Sequence, residues 1–148
     1  MLAFIYAFFA TVGFAIIFRA PFRAIVPAGL IGGVGWIIYV QFEQGGMELA
    51  VAAFFSALVI GVLGEIFAKQ FKMPATTFVV PGIVTIVPGY PIYQSVLYLI
   101  QRETAAASAE AANVAMIGVG IAVGILMASS FSRVILRRFR DTNGGYGA

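Results

Sequence analysis

A chain of 148 residues that is 61% hydrophobic and only 10% charged carries too little charge to solvate a globular surface. Its mean hydropathy of +1.01 calls for lipid, and the composition reads as one all-α integral membrane protein. Cysteine and histidine are both absent, which excludes disulfides, thiol nucleophiles, imidazole bases and the usual zinc sets, so neither a cofactor nor a metal is expected. The net charge of +3 does not point to nucleic acid, because the basic residues flank apolar runs instead of forming a continuous patch.

Five apolar runs follow in chain order, each near the twenty or so residues that a helix needs to cross a ~30 Å hydrocarbon core. The first, Leu2–Phe18, is slightly short. It has no basic leader and no clear small-x-small cleavage site, so a retained span is expected and not a removed signal peptide. The second, Ala24–Phe42, carries Gly29 and Gly33 as a GxxxG pair. The third, Glu48–Ala68, aligns Ala53, Ala57 and Gly61 on one face. The fourth, Ala75–Ile100, is interrupted by prolines and glycines, and the fifth, Ala109–Ser132, aligns Gly120, Gly124 and Ala128. Residues 1–132 thus read as a five-span membrane domain. Residues 133–148 read as a basic cytoplasmic tail whose last six or seven residues are disordered.

Small residues four apart let helix backbones approach closely. Ordinary packing within the bundle is the simplest use of these rows. They also offer more close-packing faces than five helices need among themselves, which suggests a partner.

Charge orients the five spans. Arg19 and Arg23 follow the first, Lys69 and Lys72 the third, and Arg133, Arg137, Arg138 and Arg140 the fifth. Eight of the nine basic residues then lie on one side, the cytoplasmic side by the positive-inside rule. The N-terminus is expected outside and the C-terminus in the cytoplasm. Two crossings by residues 75–100 would carry the four-arginine tail outside, so one crossing, broken in the middle, is expected there.

The break is the most informative stretch. Residues 79–96, VVPGIVTIVPGYPIYQSV, contain two Pro-Gly pairs, Pro81-Gly82 and Pro88-Gly89, with Pro91 close behind. Pro88-Gly89-Tyr90-Pro91 cannot continue a regular helix, because Pro91 lacks an N–H and pushes Tyr90 away from helical angles. One half-helix should end near Val87 and another begin near Pro91, with an earlier kink or break at Pro81-Gly82. Unpaired backbone at membrane depth is tolerated only where protein or water satisfies it. The start of the second half-helix presents N–H groups and a positive dipole end, a way to hold a carboxylate without a charged side chain. Tyr90, Gln94, Tyr98 and Gln101 follow at helical spacing, with Tyr93 beside them and Thr85 and Ser95 adding hydroxyls. The expected substrate path comprises Pro81, Gly82, Thr85, Pro88, Gly89, Tyr90, Pro91, Tyr93 and Gln94. A proline-kinked helix with interfacial tyrosines is the bland alternative.

Glu65 is a carboxylate within the third span, and such a group often marks a proton path. It lies about one turn from the span's end with Lys69 four residues on, so proton coupling and a plain salt bridge both fit. Arg19 and Arg23 read as topology determinants, though an inward-facing arginine would attract an organic anion.

Two blocks resemble a known family. Residues 11–36, TVGFAIIFRAPFRAIVPAGLIGGVGW, resemble the opening of the small, five-span subunit of the bacterial threonine/serine exporter family. Residues 79–100, VVPGIVTIVPGYPIYQSVLYLI, resemble its central motif, P-G-x₅-P-G followed shortly by a tyrosine. Pro81, Gly82, Pro88, Gly89 and Tyr93 sit on that motif, and Pro91 departs from it. The resemblance implies export of small hydroxy amino acids, with some split-type relatives linked to dicarboxylates such as succinate. It also implies a bacterial inner-membrane location. The five-span unit occurs in that family as the C-terminal half of a ten-span protein or as a separate chain with a larger five-span partner. A subunit of a secondary exporter driven by the proton gradient is the leading expectation, with that larger subunit or a homo-oligomer completing it. A non-transporting subunit that assembles or stabilises a partner is the alternative. An enzyme is not expected, since no span carries acids paired at i, i+3 or i+4.

Overall fold

The computed structural model describes residues 2–143, with side chains through Phe131. Its elements are helices α1 (Leu2–Ile17), α2 (Phe22–Gln44), α3 (Leu49–Phe71), α4 (Thr76–Ile83), a 3₁₀ turn (Val84–Ile86), α5 (Gly89–Ile100) and α6 (Thr104–Asn143). No strand occurs among the described residues. Among the described residues three helices are long and apolar enough to cross a bilayer: α2, α3 and the Thr104–Phe131 part of α6. The segment Thr76–Ile86 and α5 together make a fourth candidate, bent by 49°. α1 is apolar but has only 16 residues, about 24 Å of helix.

The helices outrun the apolar runs that announce them. α6 starts at Thr104, before Ala109, and stays helical past Ser132 to Asn143, so the basic tail continues the last helix. The remainder of the expected disordered end lies outside the described residues.

α3 is the centre of the bundle. It packs most extensively on α6 and also meets α2 and α4, while α1 lies against α2 and α4. Ile31, Ile60, Phe78, Ile86 and Ile117 are fully buried where these helices cross. The small-residue rows are consumed inside the chain. A Cβ on Gly29 would meet Phe8 and Val12 at 2.8 Å, and one on Gly33 would meet Phe4 at 2.6 Å, so that pair seats α1. A Cβ on Gly124 would come within 2.6 Å of the Phe54 carbonyl oxygen, Gly120 faces the Ala50 carbonyl, and Gly61 faces Ala128. The rows 53/57/61 and 120/124/128 therefore face each other across the α3–α6 interface. The idea that they are spare faces for a partner is corrected: close backbone approach within the bundle uses them all.

Four reversals share one device. After α1, α2, α3 and α5 the chain turns through a left-handed residue: Arg19 (φ 56°), Gly46 (φ 80°), Lys72 (φ 54°) and Arg102 (φ 62°). The next N–H reaches back to a carbonyl five residues earlier, Ala20 to Ala15 at 2.9 Å, Met47 to Phe42 at 3.1 Å, Met73 to Ala68 at 2.9 Å and Glu103 to Tyr98 at 2.9 Å. This closure satisfies helix-end carbonyls and makes each reversal tight.

Polar side chains in the core are likewise satisfied. The Thr11 hydroxyl donates to the Ala7 carbonyl at 2.8 Å, and the Ser56 hydroxyl donates across to the Gly35 carbonyl of α2 at 2.7 Å. Among the described residues no buried side-chain nitrogen or oxygen lacks a partner.

Candidate functional site

The break sits between Ile86 and Gly89. Val87 is extended (φ −62°, ψ 132°) and Pro88 adopts φ −75°, ψ 62°, so the chain leaves helical angles for two residues. α5 then begins at Gly89, two residues earlier than Pro91 suggests. Pro91 occupies the third position of α5, where a helix has no intrahelical use for an N–H and proline costs little. The Gly89 N–H bonds back to the Val87 carbonyl at 2.7 Å, and the Ile92 N–H to the Pro88 carbonyl at 3.1 Å. With Gly89 bonded and Pro91 lacking a donor, Tyr90 supplies the open backbone N–H at the start of α5.

The two Pro-Gly pairs do different work. α4 runs through Pro81-Gly82 without interruption, so no helix break occurs there. Pro81 is fully buried, and a Cβ on Gly82 would stand 3.1 Å from Ile60 and 3.2 Å from Ile31. Gly82 thus lets α4 press onto α2 and α3. Gly89 is exposed, and a Cβ there would meet nothing within 4 Å. Between the pairs the Thr85 hydroxyl donates to the Gly82 carbonyl at 2.9 Å, covering an acceptor next to the 3₁₀ turn.

Beyond the break α5 leans on α6 alone, touching no other element of the described chain. None of its residues is buried. Tyr90 and Tyr93 are 71% and 61% exposed, and the Gln94 amide donates to the Tyr90 hydroxyl at 2.9 Å along the polar stripe. Ser95, on the other side, donates to the Ala107 carbonyl of α6 at 3.2 Å.

The bend also leaves space behind. α1 and α2 both contact the 3₁₀ turn, yet neither contacts α5. An open groove of about 350 Å³ lies there, lined by Ala3, Tyr6, Ala7, Ala10, Trp36 and Thr85. Trp36 stacks on Tyr39 with ring centroids 5.6 Å apart. A second groove of about 280 Å³ lies toward the start of α4, where Phe18, Arg19 and Pro21 face Thr76, Thr77 and Pro81. Of the sequence-predicted residues, the structure brings Pro81 and Thr85 to groove walls, and it sets Gly89, Tyr90 and Tyr93 on an exposed face instead. Tyr6 and Trp36 were missed, since nothing local in an aromatic-rich span marks one ring as groove-lining.

Glu65 lies on α3, half-buried, one turn before exposed Lys69. It stands on a different helix from either groove lining. No group of three or more His, Cys, Asp or Glu that could hold a metal occurs among the described residues.

These elements define a multi-pass helical membrane protein with a bent helix pair beside open grooves. The model of the family described as "Threonine/Serine exporter, ThrE" matches residues 3–131, nearly the whole chain, and the chain belongs to that family. Membership points to a transporter and not an enzyme. Among curated relatives, a probable threonine/serine exporter of Mycobacterium tuberculosis is 26% identical over 115 residues, 74% of this chain and 22% of the relative. An uncharacterized protein of Haemophilus influenzae is 26% identical over 97 residues, 66% of this chain and 33% of its own length. The chain thus spans a third or less of the curated relatives it matches. No solved structure matches it.

Proposed function

We propose that this chain is a subunit of a secondary transporter that exports small amino acids of the threonine/serine type, or short organic acids, across the bacterial cytoplasmic membrane, driven by the proton gradient. The observation that carries the reading is the two-residue interruption at Val87–Pro88 within a bent apolar helix pair, in a chain of the exporter family. Backbone freed at membrane depth needs protein or water around it, and transporters place binding sites at such breaks. In this reading α1, α2, α3, the α4–α5 pair and α6 are five crossings, with the N-terminus outside and the C-terminus cytoplasmic. Gly89–Tyr93 lines the path, and the Tyr90 N–H faces the substrate carboxylate.

The chain works with a second membrane subunit. α5 rests on one neighbour and leaves Tyr90, Tyr93, Val96 and Leu99 all exposed, a wide face for a partner to cover. The unmatched length of the relatives supports a larger five-span partner over a homo-oligomer.

Reconstitution tests the whole reading. Liposomes holding the chain with its co-purified partner, loaded with labelled threonine, serine or succinate, should release label when a proton gradient is imposed. Liposomes holding the chain alone should not. Pro88→Ala combined with Gly89→Leu should heal the helix and abolish release while assembly persists. Release unchanged by that double variant would reduce the break to a packing feature and leave a structural subunit as the better reading.

A further inference from the structure

The two grooves are the two ends of one seam. α1 and α4 lie side by side, and α1 also contacts the 3₁₀ turn. One groove takes Phe18 and Arg19 from the turn just after α1, and the other takes Ala3, Tyr6, Ala7 and Ala10 from the helix's N-terminal half. The opposite wall is supplied by Thr77 and Pro81 in the first groove and Thr85 in the second. These three are four residues apart, so they form one face of the α4 segment, a hydroxyl on either side of a buried proline.

We infer that this α1–α4 seam is a hydrated route for a small carboxylate-bearing solute, with Arg19 as the receiving cation at one mouth and Thr77 and Thr85 as hydroxyl contacts along it. The inference rests on the export reading and adds to the Gly89–Tyr93 lining a stretch of route along the α1 side of α4.

Three observations carry it. Arg19 sits at the rim of the first groove, and among the described residues it has no ion-pair partner. Its left-handed backbone (φ 56°) and the closure from Ala20 to Ala15 fix where the side chain departs. A guanidinium is matched in charge and fork geometry to a carboxylate. The second observation is contrast. A groove of about 430 Å³ on the outer face of α6 is lined by Val123, Leu126, Met127, Ser130 and Phe131 and has the almost wholly apolar wall expected against lipid tails. The first groove instead places the Arg19 cation and the Thr76 and Thr77 hydroxyls in its lining, groups that lipid tails do not solvate. Third, Pro81 lines the first groove midway between Thr77 and Thr85, beside Gly82, whose missing side chain holds this stretch of α4 against Ile60 and Ile31.

Thiol chemistry tests the seam directly, because the chain has no native cysteine. Thr77→Cys, Thr85→Cys and Val123→Cys would each be made in the full chain with its partner, in permeabilised membrane vesicles. Each is exposed to a charged, membrane-impermeant thiol reagent, after checking that expression and unfolding midpoint match the parent. Thiolate forms only where water reaches, so Thr77→Cys and Thr85→Cys should react at least about tenfold faster than Val123→Cys. Threonine, serine or succinate should slow the reaction at Thr77→Cys, and adding Arg19→Gln should remove that protection without changing the unprotected rate. Reaction at Thr85→Cys no faster than at Val123→Cys would mean a lipid-filled groove and overturn the inference. Protection by anionic lipid but by none of the three solutes would also overturn it, by making Arg19 a headgroup contact. Efflux is scored separately. Protection without gradient-driven efflux defeats the export reading and spares the seam, whereas efflux with an unreactive seam does the reverse.

Discussion

Gly82 lies against Ile60 so closely that a Cβ built on the glycine would stand 3.1 Å from the isoleucine side chain. This contact brings α4 down onto α3 and sets the height at which the 3₁₀ turn begins. Ile60 and Pro81 are both fully buried there, leaving little room for adjustment.

The two motif glycines should therefore respond in opposite ways. Gly82→Leu overpacks the α2–α3–α4 crossing and should cost about 1–3 kcal/mol, seen as a lower unfolding midpoint in detergent. Gly89→Ala meets open space and should leave the midpoint within about 0.5 kcal/mol of the parent, as exposed changes do. Transport should fall in Gly89→Ala if backbone at this point approaches the solute. Equal destabilisation by both changes would contradict the division of labour between the pairs.

Ser56 offers a quieter test. Its hydroxyl ties α3 to the Gly35 carbonyl at 2.7 Å from a fully buried position. Removing it in Ser56→Ala should cost about 0.6–1.7 kcal/mol, the scale measured for hydrogen bonds between membrane helices. Ser56→Thr keeps the donor but adds a methyl where Ile60 and Gly35 already meet, so it should do no better than alanine. A fully stable Ser56→Ala would mean that packing alone registers α2 against α3.

For Glu65 the two readings divide cleanly. If the carboxyl carries protons, Glu65→Gln should uncouple efflux from the gradient and leave folding intact. If the side chain serves an ion pair with Lys69, exchanging the two charges in Glu65→Lys with Lys69→Glu should restore most of the function that either single change removes. Rescue by the exchange is the expected result, since Glu65 lies near the end of α3, with an exposed lysine one turn on. Efflux measured across a range of imposed gradients decides between them.

Orientation is checked with a cysteine in place of Asn143, the last residue of α6. Five crossings put it in the cytoplasm with the four tail arginines, so an impermeant reagent should label it only after permeabilisation. Labelling in intact cells would remove one crossing from the count, and the short α1 would be the first suspect.

Apolar runs made α2, α3 and the core of α6 legible, because twenty lipid-compatible residues have few other uses. Their ends were not legible. Thr104 and Asn143 lie outside the apolar run of α6, and hydropathy reports immersion in lipid and not helical angles. The break at Pro88 was readable from backbone chemistry alone, and the continuity of α4 through Pro81 was not. Losing one N–H is tolerated when the ring and its neighbouring glycine are packed on Ile31 and Ile60, residues some 20 to 50 positions away in sequence. The glycine rows were visible as spacing, but spacing cannot say whether the facing helix belongs to the same chain. Tyr6 and Trp36 were unreadable for a related reason. A groove is made by what fails to fill it, and here that is the departure of α5.

The solitary seat of α5 has a consequence in time. α3 and α6 share the most extensive helix–helix contact among the described residues, and α4 is gripped by α1, α2 and α3, so those helices can reach final positions as a cooperative unit. α5 adds nothing to that unit except its contact with α6, and its turns bury no residue. It is the last wall to set during assembly and the first to loosen. Backbone amides of Gln94–Ile100 should then exchange with heavy water well before those of Ala53–Gly61, until something outside the chain holds them still.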